Sequence, residues 1–116
     1  MFKTKIKFKG KERTIKFGSW VTGELVKISK KGEEAGFEYL ASIVFYGLLW
    51  GEKLHSNFTA GEKLPFDIFD CYDWIDEVGG TNSDEFKRIQ NLWEKHAVLY
   101  VPESDKKKVA ETEKVK

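Results

Sequence analysis

The hydrophobic period of the chain changes once, at Phe17-Gly18-Ser19, and this limits the fold more than any other feature. Before that point apolar and charged residues alternate. Phe2, Thr4, Ile6 and Phe8 fall on one face of an extended segment, and Lys3, Lys5, Lys7 and Lys9 fall on the other. Lys9-Gly10-Lys11 supplies a turn, because glycine tolerates positive φ, and Arg13 to Phe17 alternates again with Ile15 and Phe17 inward. After it, apolar residues recur at helical spacing. Two short strands cannot make a sandwich or a barrel. The expected fold is therefore α+β, an N-terminal β-hairpin followed by about four helices in a small helical bundle.

Ser19 can cap a first helix whose apolar positions are Trp20, Val21, Leu25 and Ile28, with Lys30 and Lys31 at its negative end and Gly32 as its stop. A second helix is predicted from about Glu34 to Lys53. At the helical period, Phe37, Leu40, Ala41, Val44 and Leu48 form one apolar stripe; Tyr39, Ile43, Tyr46 and Trp50, at i, i+4, i+7 and i+11, form another on a different side. One stripe suffices to pack on a hairpin. A helix apolar on two sides is either central to a bundle or half-committed to a partner, so Tyr39, Ile43, Tyr46 and Trp50 are the candidate partner-binding residues. Gly47 is placed where another backbone or side chain could come close.

Residues 51 to 65 read as a loop punctuated by Gly51, Asn57, Gly61 and Pro65. A third helix is predicted from Asp67 to Val78, with Ile68, Cys71, Tyr72, Ile75 and Val78 inward and Asp70, Asp73 and Glu77 outward, ended by Gly79-Gly80. The fourth starts after Thr81-Asn82-Ser83, has Asp84 and Glu85 in its first turn, and carries Phe86, Ile89, Leu92, Trp93 and Ala97 or Val98 inward. One domain over residues 1–101 results. Residues 102–116 offer only Val109, Ala110 and Val115 as apolar side chains and read as a disordered charged tail.

The 116 residues leave room for one domain, so a cofactor domain joined to a substrate domain is excluded. Cys71 is the sole cysteine, which rules out an intramolecular disulfide and a four-cysteine zinc site and fits a reducing compartment. No secretory signal is expected, because the N-terminus alternates instead of placing an apolar core after a positive segment. The longest apolar stretch, Tyr39 to Trp50, covers 12 positions, whereas a membrane span needs roughly 20.

The net charge of +1 is unevenly distributed. Residues 1 to 17 hold seven cations, Lys3, Lys5, Lys7, Lys9, Lys11, Arg13 and Lys16, against Glu12 alone, whereas residues 61 to 100 hold nine acids and four cations. A homo-oligomer held by these opposite charges is one consequence. The basic hairpin could grip phosphates, yet it lacks outward aromatics for base stacking, and lysines on an exposed sheet also deter strand-to-strand aggregation. Nucleic acid is therefore the alternative partner and not the favoured one.

Chemistry finds little purchase. His55 and His96 have no nucleophile motif nearby and read as surface residues. No glycine-rich nucleotide motif occurs. Asp67, Asp70, Asp73 and Asp76 recur every third residue, so they wind around a helix by about 60° per step and cannot all face one metal. Cys71 lies on an apolar stripe with no cation one turn away to lower its pKa. No catalytic, metal or cofactor site is expected, and an interaction protein is.

The lysine-rich hairpin entering Phe17-Gly18, the helix containing Glu38-Tyr39-Leu40-Ala41-Ser42-Ile43-Val44-Phe45-Tyr46-Gly47-Leu48, and the segment Tyr72-Asp73-Trp74-Ile75-Asp76-Glu77 resemble, in order and spacing, the tail assembly chaperones of long-tailed bacteriophages and prophages. The likeness covers about residues 3 to 98. It implies a non-enzymatic protein of the bacterial host's cytoplasm, absent from the mature virion. Its partners would be the tape measure protein, which it keeps soluble, and the tail tube protein that polymerises around that client. Such a task requires an exposed apolar stripe or groove.

Overall fold

A computed structural model of the chain describes residues 2–29 and 36–100. Strands β1 (Lys3–Phe8) and β2 (Lys11–Lys16) form the hairpin, followed by α1 (Ser19–Ser29), α2 (Gly36–Gly51), α3 (His55–Thr59), α4 (Ile68–Glu77) and α5 (Asp84–Ala97), with one 3-10 turn at Val98–Tyr100. The expected helix stop at Lys30 to Gly32 and the expected tail, 102–116, lie outside the described residues. No helix among those described is long and apolar enough to cross a membrane.

The two strands pair antiparallel with Phe8 opposite Lys11. Lys9 and Gly10 both have positive φ, +53° and +75°. That is the backbone of a two-residue turn whose twist matches the flanking strands. Direct pairing puts Thr4 with Ile15 and Ile6 with Arg13 on the inner face, and Lys3 with Lys16, Lys5 with Thr14 and Lys7 with Glu12 on the outer. Ile6, Phe8, Ile15 and Phe17 are buried, as the alternation requires. Arg13 breaks the apolar pattern inside. Its guanidinium is held 3.2 Å from the Glu52 carboxylate and lies over the Phe66 ring.

Helix α2 is the axis of the molecule, touching β2, α1, α3, α4 and α5. Residues Ala41 to Phe45 are buried consecutively, as are Gly47 to Leu49, so the helix is enclosed on nearly all sides. Two glycines bring it onto β2. A methyl group at Gly47 would stand 2.8 Å from Ile15 Cγ2, and one at Gly51 would overlap the Thr14 carbonyl. The close approach expected at Gly47 is present, and the stronger one is at Gly51.

Helix α1 runs unbroken through Gly23. Ser19 is its first residue, and the Gly18 carbonyl accepts from the Thr22 N–H at 3.1 Å. The span 51–65 is not all loop. α3 forms one turn within it, because Phe58 packs edge-on against Trp20, Phe45 and Tyr46. Punctuation residues alone hide such a turn, whose support comes from other elements.

The last two helices follow their predicted bounds because their ends are written locally. Asp67 caps α4, accepting from the Asp70 N–H while the Asp70 carboxylate accepts from the Asp67 N–H. Ser83 caps α5 by accepting from the Phe86 N–H. α4 buries Cys71, Trp74 and Ile75, and α5 buries Phe86, Ile89, Trp93 and His96.

These helices also cover the free edge of β1. Trp74 Nε1 donates to the Lys7 carbonyl at 3.0 Å, and Arg88 donates to the Lys5 carbonyl at 3.1 Å. On β2 the Thr14 N–H donates to Glu52. Side chains of the helices thus stand in for missing strands, which is one way a two-stranded sheet avoids adding a foreign strand.

Candidate functional site

The stripe Tyr39, Ile43, Tyr46 and Trp50 is not an open surface. Ile43 is 1% exposed. Tyr39 accepts a 2.9 Å hydrogen bond from Trp93 Nε1, and burial raises its phenol pKa above the usual range, as it does for Tyr46. Tyr46 and Trp50 are half-buried in a cluster with Trp20, which meets Tyr46 edge-on and lies stacked on Trp50. The reason is the central position of α2. Its second apolar side packs against α1, α3 and α5, which buries Ile43 and leaves Tyr39, Tyr46 and Trp50 half-buried.

Phe37, expected in the core stripe, goes the other way and is 49% exposed. It stacks on Tyr72 at 5.9 Å, and Tyr72 in turn touches Phe69 at 6.2 Å. Phe69 is the most exposed large apolar side chain of the described residues, at 70%. A ladder of three aromatic rings thus runs from the start of α2 onto the outer side of α4. The sequence held a signal for it. With Cys71 and Ile75 inward, Phe69 is out of phase and shares its helix face with Asp73 and Asp76, both exposed. These two carboxylates flank the ladder with negative charge.

The two histidines depart from the surface expectation. His96 is 3% exposed, edge-on to Phe2, stacked on Trp93, with Nδ1 3.1 Å from Thr22 Oγ1. Loss of water lowers its pKa. Leu92 and Trp93, four and three residues before His96 and so on either side of it at the helical period, place it on the inner face. His55 packs 4.4 Å from Trp50, with its Nδ1 shielded from solvent and unpartnered. Cys71 is buried, as its stripe predicted, and burial together with Asp70 and Asp67 pushes its thiol far up in pKa. It is held protonated at neutral pH.

Among the described residues no group of three or more histidine, cysteine, aspartate or glutamate side chains is arranged to hold a metal ion. Asp67 and Asp70 are occupied by the cap of α4, and Asp70 also pairs with Lys9 at 3.3 Å. The basic hairpin is partly neutralised in the same way, by Lys5–Glu12 at 3.4 Å and Arg13–Glu52. Lys3 and Lys16, at the open end of the hairpin, have no ion-pair partner among the described residues and lie beside a cleft of about 590 Å³ reaching Trp50 and His55. Comparison with protein-family models, with curated proteins and with solved structures finds no match for the chain.

Proposed function

We propose that the chain is a tail assembly chaperone of a long-tailed phage or prophage, a non-enzymatic protein acting in the host cytoplasm. It holds the tape measure protein in soluble form and yields it to tail tube subunits. The observation that carries this reading is the ladder Phe37, Tyr72 and Phe69, whose two outer rings are exposed and whose middle ring is half-buried. Rings left in water on a domain with a full core of its own favour an apolar client, and Asp73 and Asp76 beside them favour one with basic flanks. An amphipathic helix of the tape measure protein has both properties. A modest, mostly apolar contact also suits a client that must later be released.

Co-expression with the tape measure protein tests the ladder. Replacing Phe37 and Phe69 by Ser removes rings that the core does not need, so the variant's stability should stay within about 0.5 kcal/mol of the parent at each site. The soluble fraction of the client should fall. Ile43→Ala is the opposite control, costing about 2–5 kcal/mol of stability because it opens a cavity in the core. If the double variant keeps the client as soluble as the parent does, the ladder is not the docking surface. If the parent itself gives the client no added solubility, the chaperone reading fails.

A further inference from the structure

Among the described residues three of the seven hairpin cations have an ion-pair partner, and Lys3, Lys7, Lys11 and Lys16 have none. Lys5, Lys9 and Arg13 each face a carboxylate. Lys3 and Lys16 are directly opposite each other on the outer face, and neither has an ion-pair partner among the described residues. Like charges in that position oppose strand pairing. Here they close the hairpin at its open end.

A third cation comes from another element. Lys53, in the turn after α2, also lacks an ion-pair partner among the described residues; its φ of +59° closes the helix, with the Lys53 N–H donating to the Trp50 carbonyl and the Leu54 N–H to the Leu49 carbonyl. All three lysines line the cleft of about 590 Å³, with Ser56 and the Trp50 ring, and no carboxylate lines it. Glu52, the nearest acid in sequence, is turned away onto Arg13 and the Thr14 N–H.

We propose that this cleft binds a phosphate group. Three lysines, one from each strand of the hairpin and one from the turn after α2, match a multiply charged anion, and lysine acts on phosphate as a movable point charge without the planar fork that a carboxylate rewards. Binding relieves the repulsion between Lys3 and Lys16. Trp50 forms a wall and not a stacking platform, because it is already stacked on Trp20 and packed against His55. The ligand is therefore recognised through its phosphates and not through a base. This site is separate from the aromatic ladder and does not depend on the chaperone reading.

Titration calorimetry of the full chain with tripolyphosphate tests it, using Lys3→Gln/Lys16→Gln against the charge-matched control Lys63→Gln/Lys87→Gln. The parent should bind saturably; the cleft variant should lose affinity by about tenfold or more, and the control should stay within about twofold. The cleft variant should melt no lower than the parent, because it removes a repulsion. A short single-stranded oligonucleotide locates the source of the phosphate. Tighter binding than tripolyphosphate, with a log–log salt slope of about −2 for three contacts, assigns a nucleic-acid backbone, and weaker binding assigns a small phosphorylated ligand. Absence of saturable binding, equal losses in both variants, or equal affinity for sulfate would overturn the proposal. Client solubility on co-expression should be unchanged in the cleft variant, which keeps the two readings distinguishable.

Discussion

His96 shows how a single titrating group ties pH to stability. Enclosed by Phe2 and Trp93, it is held neutral, with its pKa below the ordinary 6.5. In the unfolded chain it takes a proton as pH falls through about 6.5, and the unfolded state then binds more protons than the native one. Stability contributed by the neutral ring is therefore complete above that pH and declines below it. Urea midpoints taken from about pH 7.5 down to about pH 5.5 should fall, and His96→Gln should flatten the decline. An unchanged slope in the variant would place the linkage elsewhere. Residue-level reading of the sequence misplaced this histidine, and the same kind of error exchanged Phe37 for Ile43. Helical phase says which residues share a side but not which side is covered. With two apolar sides on α2, the covering was decided by the arrival of α1, α3 and α5, which no local pattern in 34–53 encodes.

At the level of elements, legibility followed local chemistry. The hairpin, α4 and α5 lie where alternation, Lys9-Gly10, the Asp67 cap and the Ser83 cap put them. α3 was not legible, since its anchors, His55 and Phe58, pack against rings of α1 and α2. Nor was the role of Trp74, which lies on the inner side of α4 and ties that helix to the edge of β1 through the Lys7 carbonyl. Trp74→Phe keeps most of the ring and removes the donor. It should cost about 1–3 kcal/mol, measured by denaturant unfolding, with the loss split between the hydrogen bond and the smaller ring. Amide exchange in β1 should quicken in the variant relative to α2. Uniform quickening would show that Trp74 supports the whole core and not this edge.

For the molecule as a whole, the notable asymmetry is electrical. Lys3, Lys7 and Lys16 project from the outer face of the sheet, while Asp73 and Asp76 are exposed on α4. Opposed patches on one surface allow copies to associate head to tail, and such contacts weaken as the Debye length shrinks with added salt. Light scattering at low salt and high concentration should give a mass above 13.4 kDa that falls toward it as salt is raised. A monomer mass under the low-salt condition would exclude this association. The closing of the β1 edge by Trp74 and Arg88 has a further consequence, for the chain while it is being made. The paired atoms belong to residues 67 and 83 positions apart. At about 5–20 residues per second, synthesis leaves that edge without its covering for roughly 4–17 s after the first strand is made. Throughout that interval the nascent strand is a bare template for strand addition, and the row Lys3, Lys5, Lys7 and Lys9 is what repels the identical segments emerging from neighbouring ribosomes on the same message.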